Sequence, residues 1–121
     1  MIAIDLASAI PVFEQIRVQI AGEIRSGRLP EGARLPSVRQ LAADLGIAPG
    51  TVAKSFSTLE LEGLVTTSRA SGTRVAPDAA LDDATRTSVR QFVHTIDRRT
   101  LSLDSLLSAV RAEWDASRPL P

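Results

Sequence analysis

Ser37, Gly46 and Pro49 divide one stretch of this 121-residue chain into two short helices, and no other feature limits the fold as much. Ser37 follows Pro36 and offers an N-cap hydroxyl, so a helix is expected to begin there. Val38, Leu41, Ala42 and Leu45 then fall at i, i+3, i+4 and i+7, one apolar face at helical period. Gly46 can take positive φ and end that helix. Pro49 can open the next one at its first position, where the missing N–H costs nothing. On this second helix Val52, Phe56 and Leu59 share a buried face, while Gly50, Lys54 and Ser57 look the other way. Two short helices meeting at a Gly-containing turn make a helix-turn-helix, whose second helix enters the DNA major groove.

The flanking sequence completes a compact head. Gly63 caps the second helix, and LVTTS (64–68) and TRV (73–75) supply β-branched strands for a hairpin, or wing. Its turn is Arg69, Ala70, Ser71 and Gly72. Upstream, residues 1–10 read as a short extended lead-in. A helix over 11–25 follows, with Phe13, Ile16, Ile20 and Ile24 on one face and Gly27 at its end. The stretch GRLPEGARLPS (27–37) carries two Gly and two Pro and reads as a rigid connector.

Pro77 and Asp78 mark a boundary. Beyond it a helix is expected over 84–99, with Val89, Phe92, Val93 and Ile96 on one stripe. Ser102 can cap a last helix whose face carries Leu103, Leu106, Leu107, Val110 and Trp114. Two helices of this size expose more apolar surface than they can bury against each other, so a further partner is needed. That partner is either the N-terminal domain or a second copy of the chain; the second copy is the favoured expectation, which makes these nine residues the candidate dimer interface. The fold class is therefore mainly α with a small β wing: a winged helix-turn-helix over 1–77, then a helical dimerisation tail over 78–121.

Composition narrows the function classes. No apolar run approaches the ~20 residues of a membrane-spanning helix, and the N-terminus lacks the basic start of a secretory signal. Cysteine is absent, which removes disulfides and thiolate chemistry and fits a cytoplasmic protein. Fourteen Lys plus Arg balance fourteen Asp plus Glu, whereas a basic domain is the usual footprint on DNA. Placement matters more than the sum. Arg34, Arg39, Lys54, Arg69 and Arg74 sit at helix starts and the wing, while Asp44, Glu60 and Glu62 sit at helix ends. Few phosphate contacts per head imply that two heads act together.

Several residues are candidates for the DNA surface. Arg39 lies opposite the apolar face of its helix, and Lys54 is placed to touch phosphate. Ser37, Thr51 and Ser55 carry hydroxyls, and Pro49 and Gly50 open the second helix. Arg34 precedes the first helix, Arg69 and Thr73 belong to the wing, and Gly72 serves its turn. Of the wing arginines, Arg69 is favoured over Arg74. His94 has no second His or Cys to form a metal site with it, and Asp82 and Asp83 suit a helix N-terminus rather than catalysis. No enzyme constellation, metal or cofactor is expected. Two alternatives remain: a winged-helix module that binds protein, and a regulator with a small-molecule effector between the tail helices, which nothing in the sequence indicates.

FEQI at 13–16, GARLPSVRQLA at 32–42, GTVAKSF at 50–56, LELEGLV at 59–65 and SGTRV at 71–75 together resemble the winged-helix domain of GntR-family transcription regulators. The two short helices that follow resemble the YtrA-type subfamily. The resemblance implies a homodimer on inverted-repeat operators, usually a repressor. It also implies that Arg39 contacts the operator, that Thr51 and Lys54 belong to the recognition helix, and that Gly72 and Thr73 belong to the wing. The chain departs from the family at Ala48 and Gly50, where a polar residue, commonly Asn, is usual, and at Ala70, where Gly is frequent. Bidentate base reading from positions 48–50 is thereby excluded. Readout then rests on Arg39, Lys54, backbone N–H groups and DNA shape.

Overall fold

The computed structural model describes residues 2–119 and divides into two compact units, Met1–Asp83 and Ala84–Pro121. The first unit holds three helices and a two-stranded antiparallel sheet: α1 (Val12–Arg25), α2 (Val38–Leu45), α3 (Pro49–Leu61), β1 (Val65–Ser68) and β2 (Gly72–Val75). The second holds α4 (Asp83–His94), which begins at the junction, and α5 (Leu103–Ala116). The division falls six residues beyond Pro77. Ala79 belongs to the core of the head, and the backbone N–H of Leu81 donates to the Arg25 carbonyl at 2.9 Å, so the chain stays attached to the end of α1.

The head core is aliphatic and forms where the sequence periodicities converge. Ile16, Ile20 and Ile24 of α1 meet Leu41 and Ala42 of α2 and Val52, Phe56 and Leu59 of α3, with Leu64, Val65 and Val75 closing the wing side. Burying an aliphatic side chain of this kind contributes roughly 1.5–3 kcal/mol. The helix-turn-helix boundaries follow local chemistry. Ser37 Oγ accepts from the Gln40 N–H at 3.1 Å, and Gly46 ends α2 in the left-handed region at φ 67°. Pro49 occupies the first turn of α3, and its N-cap residue Ala48 offers no side-chain cap.

The lead-in is tied down more firmly than an extended segment needs to be. The Gln19 side-chain amide donates to the Ala3 carbonyl at 2.7 Å and accepts from the Ala3 N–H at 2.9 Å. Gln15 does the same for Asp5, and also donates to the Ile10 carbonyl. Two amide side chains of α1 thus imitate a neighbouring strand.

The connector before α2 is also more than a rigid link. The Leu35 N–H donates to the Thr73 carbonyl at 2.8 Å, the Val75 N–H to Ala33 at 2.9 Å and the Gly32 N–H to Val75 at 3.0 Å. Residues 32–35 therefore run along β2 as a third strand-like segment, and Arg34 pairs with Arg74. On the other side of β2 the register sets Val65 opposite Val75 and Ser68 opposite Gly72.

In the second unit, α4 ends at His94, five residues short of the expected span, so Ile96 lies outside the helix. The Thr95 hydroxyl donates to the Phe92 carbonyl, and the Asp97 carboxylate accepts from the Arg99 N–H and guanidinium, which bends the chain into a turn. Those bonds hold the Asp97 carboxyl below its ordinary range. Ser102 caps α5 by accepting from the Ser105 N–H. Among the described residues no helix is long and apolar enough to cross a membrane.

Candidate nucleic-acid interface

Helix α3 presents two faces. Val52, Ser55, Phe56 and Leu59 are buried, while Pro49, Gly50, Ala53, Lys54 and Ser57 are exposed, with Thr51 half-buried between them. Gly50 and Ala53 are too small to reach far, so the long cation on this surface is Lys54. Its ammonium rests 3.9 Å from the centroid of the Phe13 ring on α1, a cation–π contact that restrains an otherwise flexible side chain.

Ser55 is corrected by the structure. The sequence placed it among DNA-contacting hydroxyls, but it is fully buried and donates to the Phe13 carbonyl at 2.7 Å. It follows Lys54 by one position, and the 100° step to the next residue of a helix carries it onto the α1-facing side. Phe13 is the residue that sequence reasoning missed. Its place on the apolar stripe of α1 marked it as core, and only the spatial pairing with α3 shows its other contacts.

Arg39 is exposed on α2 and forms no hydrogen bond or ion pair among the described residues. Its guanidinium therefore keeps its full set of donors for an external acceptor. Ser37 is exposed beside it, its oxygen accepting the cap hydrogen bond and its hydroxyl able to donate as well.

The wing gathers three arginines with different degrees of freedom. Arg69 is exposed in the turn and has no hydrogen-bond or ion-pair partner among the described residues. Arg74 is half-buried and donates from Nη1 to the Gly32 carbonyl at 3.0 Å, so it braces the connector. Arg34 lays its guanidinium against Gly72, where an added Cβ would stand 3.1 Å from Nε. Gly72 also sits at φ 70°, so its backbone and its neighbour both favour the absence of a side chain. Thr73 Oγ1 pairs with Thr67 Oγ1 across the hairpin at 3.1 Å.

Helix α3 is braced against α1 at its middle, through Phe13, and at its C-terminal end. Arg17 ties Glu14 in the first turn of α1 to Glu62 just past α3, with Nη1 2.9 Å from Glu62 Oε1. These bonds raise the Arg17 pKa further and hold the Glu14 carboxyl below its usual value. Among the described residues no three His, Cys, Asp or Glu side chains converge as a metal site, and His94 is exposed.

From Phe13 to Val75 the sequence matches the family described as bacterial regulatory proteins, gntR family. The chain belongs to that family. It is 37% identical over 90 residues to the HTH-type transcriptional regulator Rv1152 of Mycobacterium tuberculosis, covering 74% of each chain. It is 40% identical over 79 residues to the HTH-type transcriptional repressor YtrA of Bacillus subtilis, covering 65% of this chain and 61% of that one. The structure of YtrA from Sulfolobus acidocaldarius, a GntR-family transcription factor, superposes with a TM-score of 0.59 at 33% identity, covering 78% of this chain and 94% of that chain. The winged helix-turn-helix is thus a GntR DNA-binding head of the YtrA type, and the GntR chain described here is a transcription regulator.

Proposed function

We propose that this GntR regulator acts in the cytoplasm as a homodimeric repressor on an inverted-repeat operator in double-stranded DNA. In this reading each head lays α3 in a major groove. Arg39 reads bases or clamps phosphate, and Thr51, Lys54 and backbone N–H groups near Gly50 contact the backbone. Ser37 adds a contact at the start of α2. Arg69, with Arg34 and Thr73 beside it, carries the wing contact.

The observation that carries the dimer is the state of the tail. No described residue of α4 or α5 is buried, although Phe92 is 44%, Val110 43% and Trp114 77% exposed. Val89, Leu103 and Leu107 are exposed on the same helices, and Val93, Ile96 and Leu106 are only half-covered. Two helices with so much apolar surface and no core have little to offset the entropy of ordering, and a patch of this kind marks an interface. A symmetric pair of tails would bury it and join two weakly charged heads, raising the effective concentration of the second at its half-site.

An open groove of about 650 Å³, lined by Phe92, Leu106, Val110, Trp114, Glu113 and Arg118, favours the effector reading as the second one. Val110→Asp separates the two. In the dimer reading it yields a monomer by light scattering and loses affinity for a duplex recovered by selection from random sequence. A dimer that persists in Val110→Asp and still binds the duplex overturns the assignment of this face.

A further inference from the structure

Two side chains of the recognition helix converge on one residue outside it. The buried Ser55 hydroxyl donates to the Phe13 carbonyl at 2.7 Å, and the exposed Lys54 ammonium lies 3.9 Å from the Phe13 ring centroid. The two contacts restrain different motions. The buried hydrogen bond opposes sliding and rotation of α3 on α1, because either motion leaves the Phe13 carbonyl without the hydroxyl and the hydroxyl with only the longer 3.3 Å contact to the Thr51 carbonyl of its own helix. The ring restrains the far end of a four-carbon stem that would otherwise lose its rotamer freedom only on meeting DNA.

The ring does not compete with an anion. An ammonium has three donors, and an aromatic face engages it from one side only, so the remaining N–H directions stay open to a phosphate oxygen. Among the exposed residues between 49 and 57, which are Pro49, Gly50, Ala53, Lys54 and Ser57, Lys54 alone bears charge. Where that one charge sits therefore decides how well this surface meets the DNA backbone.

We infer that Phe13 is a positioning residue for DNA binding, its ring holding the Lys54 ammonium ready for phosphate while its carbonyl, bound by Ser55, seats α3. The inference rests on the reading of Lys54 as a phosphate contact.

A double-mutant cycle on the 121-residue chain tests it, with binding to a selected duplex followed by fluorescence anisotropy at fixed salt. Phe13→Leu removes the ring but keeps an apolar side chain and the carbonyl, and Phe13→Tyr keeps the ring. The expected result is a loss of about two- to fivefold for Phe13→Leu, none for Phe13→Tyr, and no further loss for Phe13→Leu once Lys54 is replaced by Gln. Thermal unfolding of each variant checks that the head is folded. An equal loss from Phe13→Leu with and without Lys54 overturns the inference, since the ring then acts through the head as a whole. So does an unchanged affinity for Phe13→Leu when Lys54→Gln weakens binding. If Lys54→Gln binds like the parent chain, the contact role of Lys54 falls and the positioning role falls with it.

Discussion

Arg17 Nη1 donates to Glu62 Oε1 at 2.9 Å, joining the middle of α1 to the residue that closes α3. The same guanidinium holds Glu14, so a single cation braces α3 at the end opposite its Pro49 start. The pair is only partly exposed, with side-chain exposures of 23% and 33%, and the guanidinium is shared by two carboxylates. A network of this kind contributes more than a lone surface pair, whose median is ~0–1 kcal/mol.

Acid should release this brace. Hydrogen bonding from Arg17, and then its charge, hold Glu14 below its ordinary value of 4.5 against the opposing effect of burial. The unfolded chain therefore binds the proton more tightly than the folded one. Glu14 contributes stability above the ordinary carboxylate value, and that contribution is lost as pH falls through its lowered folded value. Thermal melts of the parent and Glu14→Gln should differ most near neutral pH, by about 1 kcal/mol or less, and converge in acid. A gap that does not change with pH would count against the assignment.

Ser37→Ala should destabilise the head by about 1 kcal/mol, the usual cost of losing an N-cap hydroxyl. The urea midpoint should fall while the slope of the transition stays the same, because the same surface is exposed on unfolding.

Arg39→Ala should do the reverse. With no partner among the described residues, its loss leaves the melting temperature unchanged. Binding to a selected duplex should weaken by at least ~1 kcal/mol, the low end for a specific base contact. Equal affinities in salt-matched titrations would remove Arg39 from the interface.

Much of the head can be read from local chemistry, because its boundaries are set within a few residues. The Ser37 cap, the left-handed Gly46 and Pro49 at the start of α3 fall where the sequence places them. The long-range features were not readable in this way. Residues 32–35 look like a loop from Gly and Pro content, yet they become a third wing segment because β2 has an open edge for them to pair with. Ser55 looks like a surface hydroxyl until its partner, a carbonyl 42 residues away, is known. The early end of α4 depends on Thr95 and Asp97 drawing the chain into local side-chain bonds, which compete with helical pairing.

The alignment of residues 32–35 along β2 also bears on how the head comes apart. Because the hairpin is stitched to the segment entering α2, a fluctuation that frays the wing must also break amide pairs on Gly32, Leu35 and Val75. These bridge distant parts of the chain. Wing and helices should therefore open as one cooperative unit, and the Val75 amide should exchange its hydrogen only as fast as the whole head unfolds.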